Sequence, residues 1–229
     1  MTFHIISLFP EIFEGIFSKS IIAHATHKGI TKIHFVNPRD FATDRHKSVD
    51  DKPYGGGRGM VARVDIIVKA LESIRPKPYT ILLSASGKKY TEGYASKLAK
   101  LPNLALVCGH YEGIDARVEK FADVVISIGD FVLTGGEIAA AAIVDSITRL
   151  LPGVIHPESL KYESFGSGSL KRQLWGNLEY PQYTRPEIFR GLKVPQVLLS
   201  GNHKKVETWR QKETLKRTRK FRPDLLKIK

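Results

Sequence analysis

Residues 104–115 read Leu-Ala-Leu-Val-Cys-Gly-His-Tyr-Glu-Gly-Ile-Asp, and residues 124–137 read Val-Val-Ile-Ser-Ile-Gly-Asp-Phe-Val-Leu-Thr-Gly-Gly-Glu. Each stretch opens with a short apolar run whose length and β-branched content are typical of a buried strand. Each run leads directly into a glycine, Gly109 or Gly129. Open α/β sheets bind ligands where buried strands end in glycine-rich loops. The two strand ends therefore predict one pocket for a small molecule.

Strand and helix patterns alternate over most of the chain. The predicted strands are 3–8, 33–36, 80–84, 104–108, 124–128 and 197–199, and the predicted helices are one beginning at Pro10, then 64–74, 91–100, 137–151 and 204–221. A turn is expected at 87–89, and a boundary between domains in the segment 156–186. Such alternation is typical of a parallel sheet covered by helices on both faces. In the last helix, the apolar side is predicted to consist of Val206, Trp209, Leu215 and Phe221.

The charge balance favours a polyanionic partner. The chain has 36 Lys and Arg against 23 Asp and Glu, a net charge of +13. The last 28 residues hold eleven of the basic residues and only three acidic ones. A basic helix that merely keeps the protein soluble would give the same excess, but nucleic acid is the favoured interpretation.

Several classes of protein are excluded. Cys108 is the only cysteine, so neither an intrachain disulfide nor a cysteine zinc cluster is possible. His24 and His27 share a helical face without a third ligand nearby, which favours surface histidines. The first residues lack the features of a signal peptide, and no apolar run has the length of a membrane span. We therefore expect a soluble, cytoplasmic protein without a membrane partner.

A glycine cluster, Gly55-Gly-Gly-Arg-Gly59, lies in the long polar loop 37–63. It contains a formal G-x-G-x-G, but the polar residues 50–54 precede it where a nucleotide-binding motif requires a buried strand. Two interpretations stay open: a flexible loop, or a loop whose bare backbone approaches a phosphate with help from Arg45, Lys47 and Arg58.

The two glycine-ended strands offer groups suited to a nucleotide-like ligand. Backbone amides at glycines can bind an adenine edge or a ribose, and Ile128, Phe131 and Leu133 offer apolar walls. Glu112 or Asp130 would attract a cation such as a sulfonium. The alternative is that these glycines serve only tight turns.

The sequence resembles the bacterial tRNA (guanine-N1)-methyltransferases of the knotted SPOUT superfamily, over nearly the whole chain and in the order typical of that family. The motifs that carry the resemblance are Ile6-Ser-Leu-Phe-Pro10, Asn37-Pro-Arg-Asp-Phe41, Val49-Asp-Asp-Lys-Pro-Tyr-Gly-Gly-Gly57 with Gly59-Met60, Cys108-Gly-His-Tyr-Glu-Gly-Ile-Asp115, Ser127-Ile-Gly-Asp-Phe-Val-Leu133 with Gly135-Gly-Glu137, Pro152-Gly-Val154, Tyr183-Thr-Arg-Pro186 and Leu198-Leu-Ser-Gly-Asn-His203.

The resemblance implies an α/β fold: a parallel sheet with helices on both faces and a C-terminal trefoil knot, followed by a small, mainly α-helical C-terminal domain. Residues 1–155 would form the knotted catalytic domain that binds S-adenosylmethionine, 156–186 a linker, and 187–229 a basic tRNA-binding domain. The linker at 166–178 looks longer than is usual in the family. The family acts as homodimers with an active site shared between subunits, methylates N1 of guanosine 37 in tRNA, and requires Mg²⁺. No metal-ligand cluster is visible in the sequence.

Site residues follow from the same resemblance. The cofactor would be bound by Ser84, Gly109, Tyr111, Glu112, Ile128, Gly129, Asp130, Phe131, Val132, Leu133, Gly135 and Gly136. The tRNA would be contacted by Arg45, Lys47, Asp50, Gly56, Arg58, Tyr183, Arg185, Asn202, Lys204, Arg210 and Arg217.

The chemistry at guanine N1 requires a base and a cation. N1 carries a proton at neutral pH, and negative charge develops on O6 as that proton leaves. In the family an aspartate directly before Ser-Phe is the base, and the arginine before Pro-Gly-Val is the cation. Arg149 matches the arginine, whereas Glu163 stands at the position of the aspartate. The alternatives are a solvated loop acid for Glu163 and an exposed pair with Asp145 for Arg149.

Two rival functions stay open. One is a knotted methyltransferase that acts on a different RNA nucleoside. The other is a non-catalytic RNA-binding relative, which the replacement of aspartate by Glu163 keeps under consideration.

Overall fold

The structure is a computed structural model that describes residues 1–166 and 176–226. The chain divides into two compact units, Met1–Ile155 and His156–Lys229. Most of the segment predicted as a longer linker, residues 167–175, lies outside the described residues. None of the helices within the described part is long and apolar enough to cross a membrane.

The first unit contains seven strands, β1 (Thr2–Ile6), β2 (Lys32–Val36), β3 (Asp50–Asp51), β4 (Val61–Ala62), β5 (Tyr79–Lys89), β6 (Asn103–Val107) and β7 (Val124–Ser127). Its α-helices are α1 (Glu14–Phe17), α2 (Ser20–His27), α3 (Val64–Glu72), α4 (Glu92–Leu98) and α5 (Glu137–Thr148), and 3₁₀ turns span Pro10–Phe13, Pro38–Phe41 and Ala116–Phe121. The described part of the second unit contains α6 (Pro157–Lys161), the hairpin β8 (Ile188–Phe189) and β9 (Leu192–Lys193), α7 (Gln196–Leu199), α8 (His203–Phe221) and a 3₁₀ turn at Pro223–Leu226.

Five strands form a parallel sheet in the order β2-β1-β6-β5-β7. The register places Ile5 of β1 opposite Phe35 on one side and Leu106 on the other. The predicted parallel sheet is therefore confirmed. Because β6 and β7 are neighbours of β5, the loops that follow these strands emerge at the same edge of the sheet.

Alternate residues of the strands enter two separate cores. Phe3, Leu104 and Leu106 pack on the side of the sheet that α5 covers. Ile6, Ala105 and Val107 pack on the opposite side, which α3 covers. Successive residues of a strand point to opposite faces of the sheet, so strands that are apolar throughout need helices packed on both faces. The packing of α5 on one side and α3 on the other confirms the prediction of helices on both faces.

The turn predicted at 87–89 is wrong, because β5 continues to Lys89. Lys88 pairs with Ile126 and Lys89 with Ser127, after a register shift that begins at Leu83. A β-carbon built on Gly87 would lie 2.5 Å from the backbone N of Ile126. Glycine therefore marks a close backbone approach between two strands here rather than a turn.

Two predictions for the second unit also need correction. Val197–Leu199, predicted as a strand, is part of the helix α7. In α8 the fully buried residues are Thr214 and Thr218, while Leu215 and Phe221 are 40% and 55% exposed. The hydroxyl of Thr218 accepts a hydrogen bond from Leu178 N at 3.0 Å and donates one to Thr214 O at 2.8 Å. Two of the four predicted apolar residues are thus exposed, while Val206 and Trp209 are half-buried, and the fully buried positions of the helix are polar.

Candidate functional site

A cavity of about 300 Å³ lies where β6 and β7 end, beside residues 82–85 of β5. Its walls come from the residues that follow these strands, chiefly the loops 109–115 and 128–136. All of the residues predicted to bind the cofactor, with the exception of Asp130, line this cavity: Ser84, Gly109, Tyr111, Glu112, Ile128, Gly129, Phe131, Val132, Leu133, Gly135 and Gly136. The structure thus brings both glycine-ended strands to one concave site.

Asp130 lies outside the lining of the cavity. Its carboxylate is exposed to solvent and accepts a hydrogen bond from Lys89 Nζ at 3.3 Å. Since its side chain turns toward this lysine, Glu112 is the nearer candidate for attracting a cationic ligand.

Glycines allow the two loops of the cavity to touch through their backbones. Gly136 N donates a hydrogen bond to Gly109 O at 2.8 Å. A β-carbon on Gly136 would lie 2.7 Å from Cys108 Cα and 2.9 Å from Gly109 N, closer than real β-carbons approach. The glycine at 136 is therefore required by packing against rigid backbone, and not only by a turn.

A buried carboxylate, Glu137, lies behind these glycines. Only 3% of the residue is exposed, and Ser7 Oγ donates a hydrogen bond to its Oε1 at 2.8 Å. His110 Nδ1 is 3.8 Å from Oε2. Burial, together with the nearby Glu137 charge, raises the pKa of the Cys108 thiol well above its usual value, so this cysteine stays an inert thiol.

Sequence reasoning missed part of this site. Glu137 was identified only as the end of a motif and the start of a helix, and His110, Ser127 and Thr134 were not assigned to the pocket that they line. Their position within or beside the two glycine loops was the available signal. The burial of Glu137 had no sequence signal, since an acidic residue in the first turn of a helix is usually exposed.

The walls combine hydrogen-bonding and apolar groups. Phe131, Val132 and Leu133 supply apolar surface, and Ser84 and Glu112 supply polar atoms. Tyr111 adopts a left-handed backbone conformation with φ of 61°, and its ring meets that of His110 edge-on at 5.4 Å. This combination suits a ligand with a heterocycle, hydroxyl groups and a positive charge.

The described residues do not provide a metal centre. Within 1–166 and 176–226, no three side chains of the His, Cys, Asp and Glu types gather where they would bind a metal ion. Mg²⁺ usually keeps several waters and is bound through one or two carboxylates together with substrate phosphates, so it does not require such a cluster.

The glycine-rich loop, which contains Gly55-Gly-Gly-Arg-Gly59, lies against the wall of the cavity. Glu112 N donates to Met60 O at 3.1 Å, Ala62 N to Gly113 O at 3.0 Å and Asp115 N to Ala62 O at 3.1 Å. The predicted tRNA contacts of this region are thus carried by a segment attached to the cofactor loop: Arg45, Lys47, Gly56 and Arg58 are exposed, and Asp50 pairs with Ala62 in the β3–β4 ladder.

Arg149 directly follows the last residue of α5. Its Nη1 lies 4.0 Å from Glu92 Oε1 of α4, and its backbone N–H donates to Asp145 O at 3.1 Å. The guanidinium is partly exposed, with a side-chain accessibility of 30%. The cationic group of Arg149 therefore lies near the surface of the first unit, beside Glu92.

Glu163 belongs to the second unit, in a turn that follows α6. Gly166 N donates to Glu163 O at 3.4 Å, and Glu179 N donates to Ser164 Oγ at 2.9 Å. These bonds stabilise the backbone conformation on both sides of Ser164-Phe165, the pair by which Glu163 was identified.

The remaining predicted tRNA contacts also lie in the second unit and differ in exposure. Tyr183, Arg185, Asn202 and Lys204 are exposed, while Arg210 and Arg217 are half-buried. The Arg210 guanidinium lies over the Tyr180 ring at 4.8 Å, and that of Arg217 over Phe221 at 5.7 Å. Both arginines therefore contribute to packing as well as to charge.

The comparisons with known proteins agree over the full chain. Residues 1–228 match the model of the family described as tRNA (Guanine-1)-methyltransferase TrmD. The chain is 52% identical to a tRNA (guanine-N(1)-)-methyltransferase of Carboxydothermus hydrogenoformans, with 100% of this chain and 88% of the relative covered. It is 49% identical to the protein of the same name from Geobacillus kaustophilus, with 99% and 91% covered. The corresponding protein of Geobacter sulfurreducens is 48% identical, with 99% and 91% covered.

Proposed function

Because the chain belongs to the tRNA (guanine-1)-methyltransferase family, we propose that it transfers a methyl group from S-adenosylmethionine to N1 of guanosine 37 in tRNA. The observation that carries this proposal is the identity of 52% over the entire chain. It is supported by the cavity, which gathers the residues expected to hold the cofactor at the ends of the central strands.

S-adenosylmethionine would supply an electrophilic methyl group on a sulfonium. Backbone groups of the loops 109–115 and 128–136 would bind its adenine and ribose, and Phe131 and Leu133 would cover its apolar parts. Glu112, one of three acids that line the cavity with Asp115 and Glu119, would face the sulfonium side of the ligand. These groups orient the donor and exclude water, so the acceptor nitrogen approaches in line.

The acceptor is activated by a proton transfer. Glu163 would remove the N1 proton of guanine, and Arg149 would stabilise the negative charge that develops on O6. A glutamate places its carboxylate about one methylene further from the backbone than an aspartate, so the turn after α6 would compensate for the extra length. Mg²⁺ stays part of the proposal as a requirement of the family, and no step is assigned to it.

The finer organisation is also part of the proposal. We place a trefoil knot at the C-terminal part of the first unit, a linker at 156–186, and a helical tRNA-binding domain at 187–229. We further propose a cytoplasmic homodimer with an active site shared between subunits. Exposed apolar residues beside the cavity support a covering partner, since Val132 is 89% exposed and Phe131 56%.

Binding of tRNA would depend mainly on phosphates. The basic residues of α8, together with Arg45, Lys47 and Arg58, supply the positive charge. Release of counterions makes such binding weaken steeply as salt rises. A tRNA affinity that does not change with salt would contradict this part of the proposal.

The decisive experiment identifies the modified nucleoside. The protein is incubated with unmodified tRNA and a donor labelled in its methyl group, and anticodon-loop fragments are analysed by mass spectrometry. We expect labelled 1-methylguanosine at position 37 and none in a tRNA with adenosine at that position. A different labelled nucleoside would identify another RNA methyltransferase, and no label at all would favour a non-catalytic RNA-binding protein.

A further inference from the structure

Gly59 is the point at which the glycine-rich loop contacts a side chain of the cavity wall. A β-carbon built on Gly59 would lie 2.6 Å from Glu112 Oε1 and 2.8 Å from Glu112 Cδ. The Glu112 side chain thus occupies the space that any other residue at position 59 would need. Gly59 also has a φ of +82°, a conformation that glycine adopts without strain.

The backbone on both sides of this contact is tied to the cofactor loop. Met60 O accepts from Glu112 N, and the bridge between Ala62 and Ile114 continues the connection in parallel. Residues 55–59 are exposed on the other side of the loop. One segment therefore presents a glycine-rich, basic surface to solvent, while its inner side at Gly59 leaves the space that the Glu112 side chain occupies.

We propose that Gly59 is a positioning residue that couples RNA binding at the glycine-rich loop to S-adenosylmethionine binding in the cavity, through the Glu112 side chain. This inference rests on the proposed function. A phosphate bound by Gly56 and Arg58 favours one conformation of the loop, and that conformation determines the space left for Glu112. By thermodynamic linkage, a ligand that fixes Glu112 favours the same loop conformation to the same extent.

The chain offers a matched pair of substitutions. Gly59→Ala and Gly55→Ala both place alanine at a positive φ, +82° and +85° respectively, so they carry a similar backbone penalty. A β-carbon at Gly55 has no atom within 4 Å, whereas one at Gly59 displaces Glu112. Because a glutamate side chain can swing away, Gly59→Ala should fold, and thermal melting of both variants checks this.

The experiment measures, by calorimetry, the dissociation constant of an unreactive S-adenosylmethionine analogue that keeps a positive charge at the sulfonium position, with and without a saturating anticodon stem-loop RNA. The analogue prevents turnover during the titration and keeps the charge that Glu112 would face. For the wild-type protein we expect RNA to tighten binding by about 5–150-fold, the range usual for coupled sites. Gly59→Ala should bring this ratio to about one, while Gly55→Ala should keep it near the wild-type value.

A double substitution tests the route through Glu112. Glu112→Ala should also lower the ratio, and adding Gly59→Ala should lower it no further, since both remove the same contact. The inference is overturned if Gly59→Ala keeps the wild-type ratio, if Gly55→Ala loses as much, or if the wild-type ratio is one. In the last case, formation of 1-methylguanosine by the same preparation leaves the proposed function intact, whereas absence of both product and ligand binding overturns the proposed function as well.

Discussion

Glu163 is the residue on which the proposed chemistry depends most directly. Substitution by Gln keeps the size of the side chain and its hydrogen-bonding atoms but removes the ability to accept the N1 proton. We expect Glu163→Gln to lower single-turnover methylation by about 10²–10⁴-fold, the usual contribution of a general base. The affinity for S-adenosylhomocysteine should stay near that of the wild type.

The nearby acid Glu158 provides the control for this prediction. It lies on α6 and pairs with Lys161 at 3.6 Å, in an exposed position. Glu158→Gln should methylate at the wild-type rate. Unchanged turnover of Glu163→Gln would remove Glu163 from the mechanism.

His4 is a second residue for which a prediction can be made, in this case about how stability depends on pH. Its ring stacks on that of His34 in the neighbouring strand, with centroids 5.3 Å apart. Burial, and then the charge of His34, lower the pKa of His4 below the ordinary histidine value of 6.5, although a hydrogen bond to Asn103 opposes the shift. The unfolded chain therefore binds a proton at His4 more readily than the folded chain does.

The sign of this effect gives a prediction for stability. The contribution of His4 is fully present above the unfolded pKa of 6.5 and is lost as pH falls through the lower, folded pKa. His4→Gln should therefore reduce the fall in Tm between about pH 8 and pH 5. His24→Gln, an exposed change on α2, serves as the control and should leave the pH dependence of Tm as it is in the wild type. An identical pH dependence in His4→Gln and wild type would show that the pair does not contribute.

At the scale of elements, substitution of glycine by alanine should lower stability at one position and raise it at another, depending on what the added β-carbon contacts. Gly136→Ala forces a β-carbon against the backbone of Cys108 and Gly109, which cannot move away, and overpacking of this kind costs about 1–3 kcal/mol. We also expect weaker S-adenosylhomocysteine binding, because the two loops of the cavity would separate.

Gly93→Ala is the matched change within α4. A β-carbon there would meet only Thr91 Oγ1, at an ordinary 3.9 Å. Alanine in a helix is favoured over glycine by about 0.5–1 kcal/mol, so thermal or urea unfolding should show higher stability. If Gly136→Ala were as stable as the wild type or more stable, the packing explanation for Gly136 would be wrong.

The sequence predicts best those strands and helices whose hydrophobic pattern extends over the whole element. Alternation and period identified the central strands and α3, α5 and α8 to within a few residues. The helix predicted at 91–100 begins where expected, and the hydroxyl of Thr91 caps it by accepting a hydrogen bond from Tyr94 N at 3.3 Å. The run 197–199 was assigned wrongly because three apolar residues have no distinguishable period, and Pro195 before them suits a helix start as well as a strand.

The candidate site was predictable to the extent that glycine loops follow buried strands. The resemblance supplied individual residues, and the geometry brings most of the cofactor set together. The sequence does not show which side chains meet in the folded chain. Asp130 and Glu112 are both acids in glycine-rich loops, yet Asp130 pairs with Lys89 in solvent, whereas Glu112 packs on Gly59. Contacts between segments far apart in the chain leave no local pattern.

At the scale of the whole molecule, a shared active site predicts complementation between inactive variants. If each site takes its cavity from one subunit and Glu163 from the other, a mixed dimer of Glu112→Ala and Glu163→Gln has one intact site. Co-expression with random pairing makes half of the dimers mixed, so activity should return to about one quarter of wild type. Sites contained within single subunits would give no recovery, and size-exclusion chromatography of each variant checks that dimers form.

The position of β1 inside the sheet also has a consequence for synthesis. Thr2–Ile6 has β2 as one neighbour, but its other neighbour, β6, begins only at Asn103. At about 5–20 residues per second, the ribosome delivers that partner roughly 5–20 seconds after the first strand has been made. During that interval Phe3 and Ile5 lack their partners Leu104 and Leu106 in the sheet, so a nascent chain paused before Asn103 is the form that should bind chaperones and be cut first by proteases.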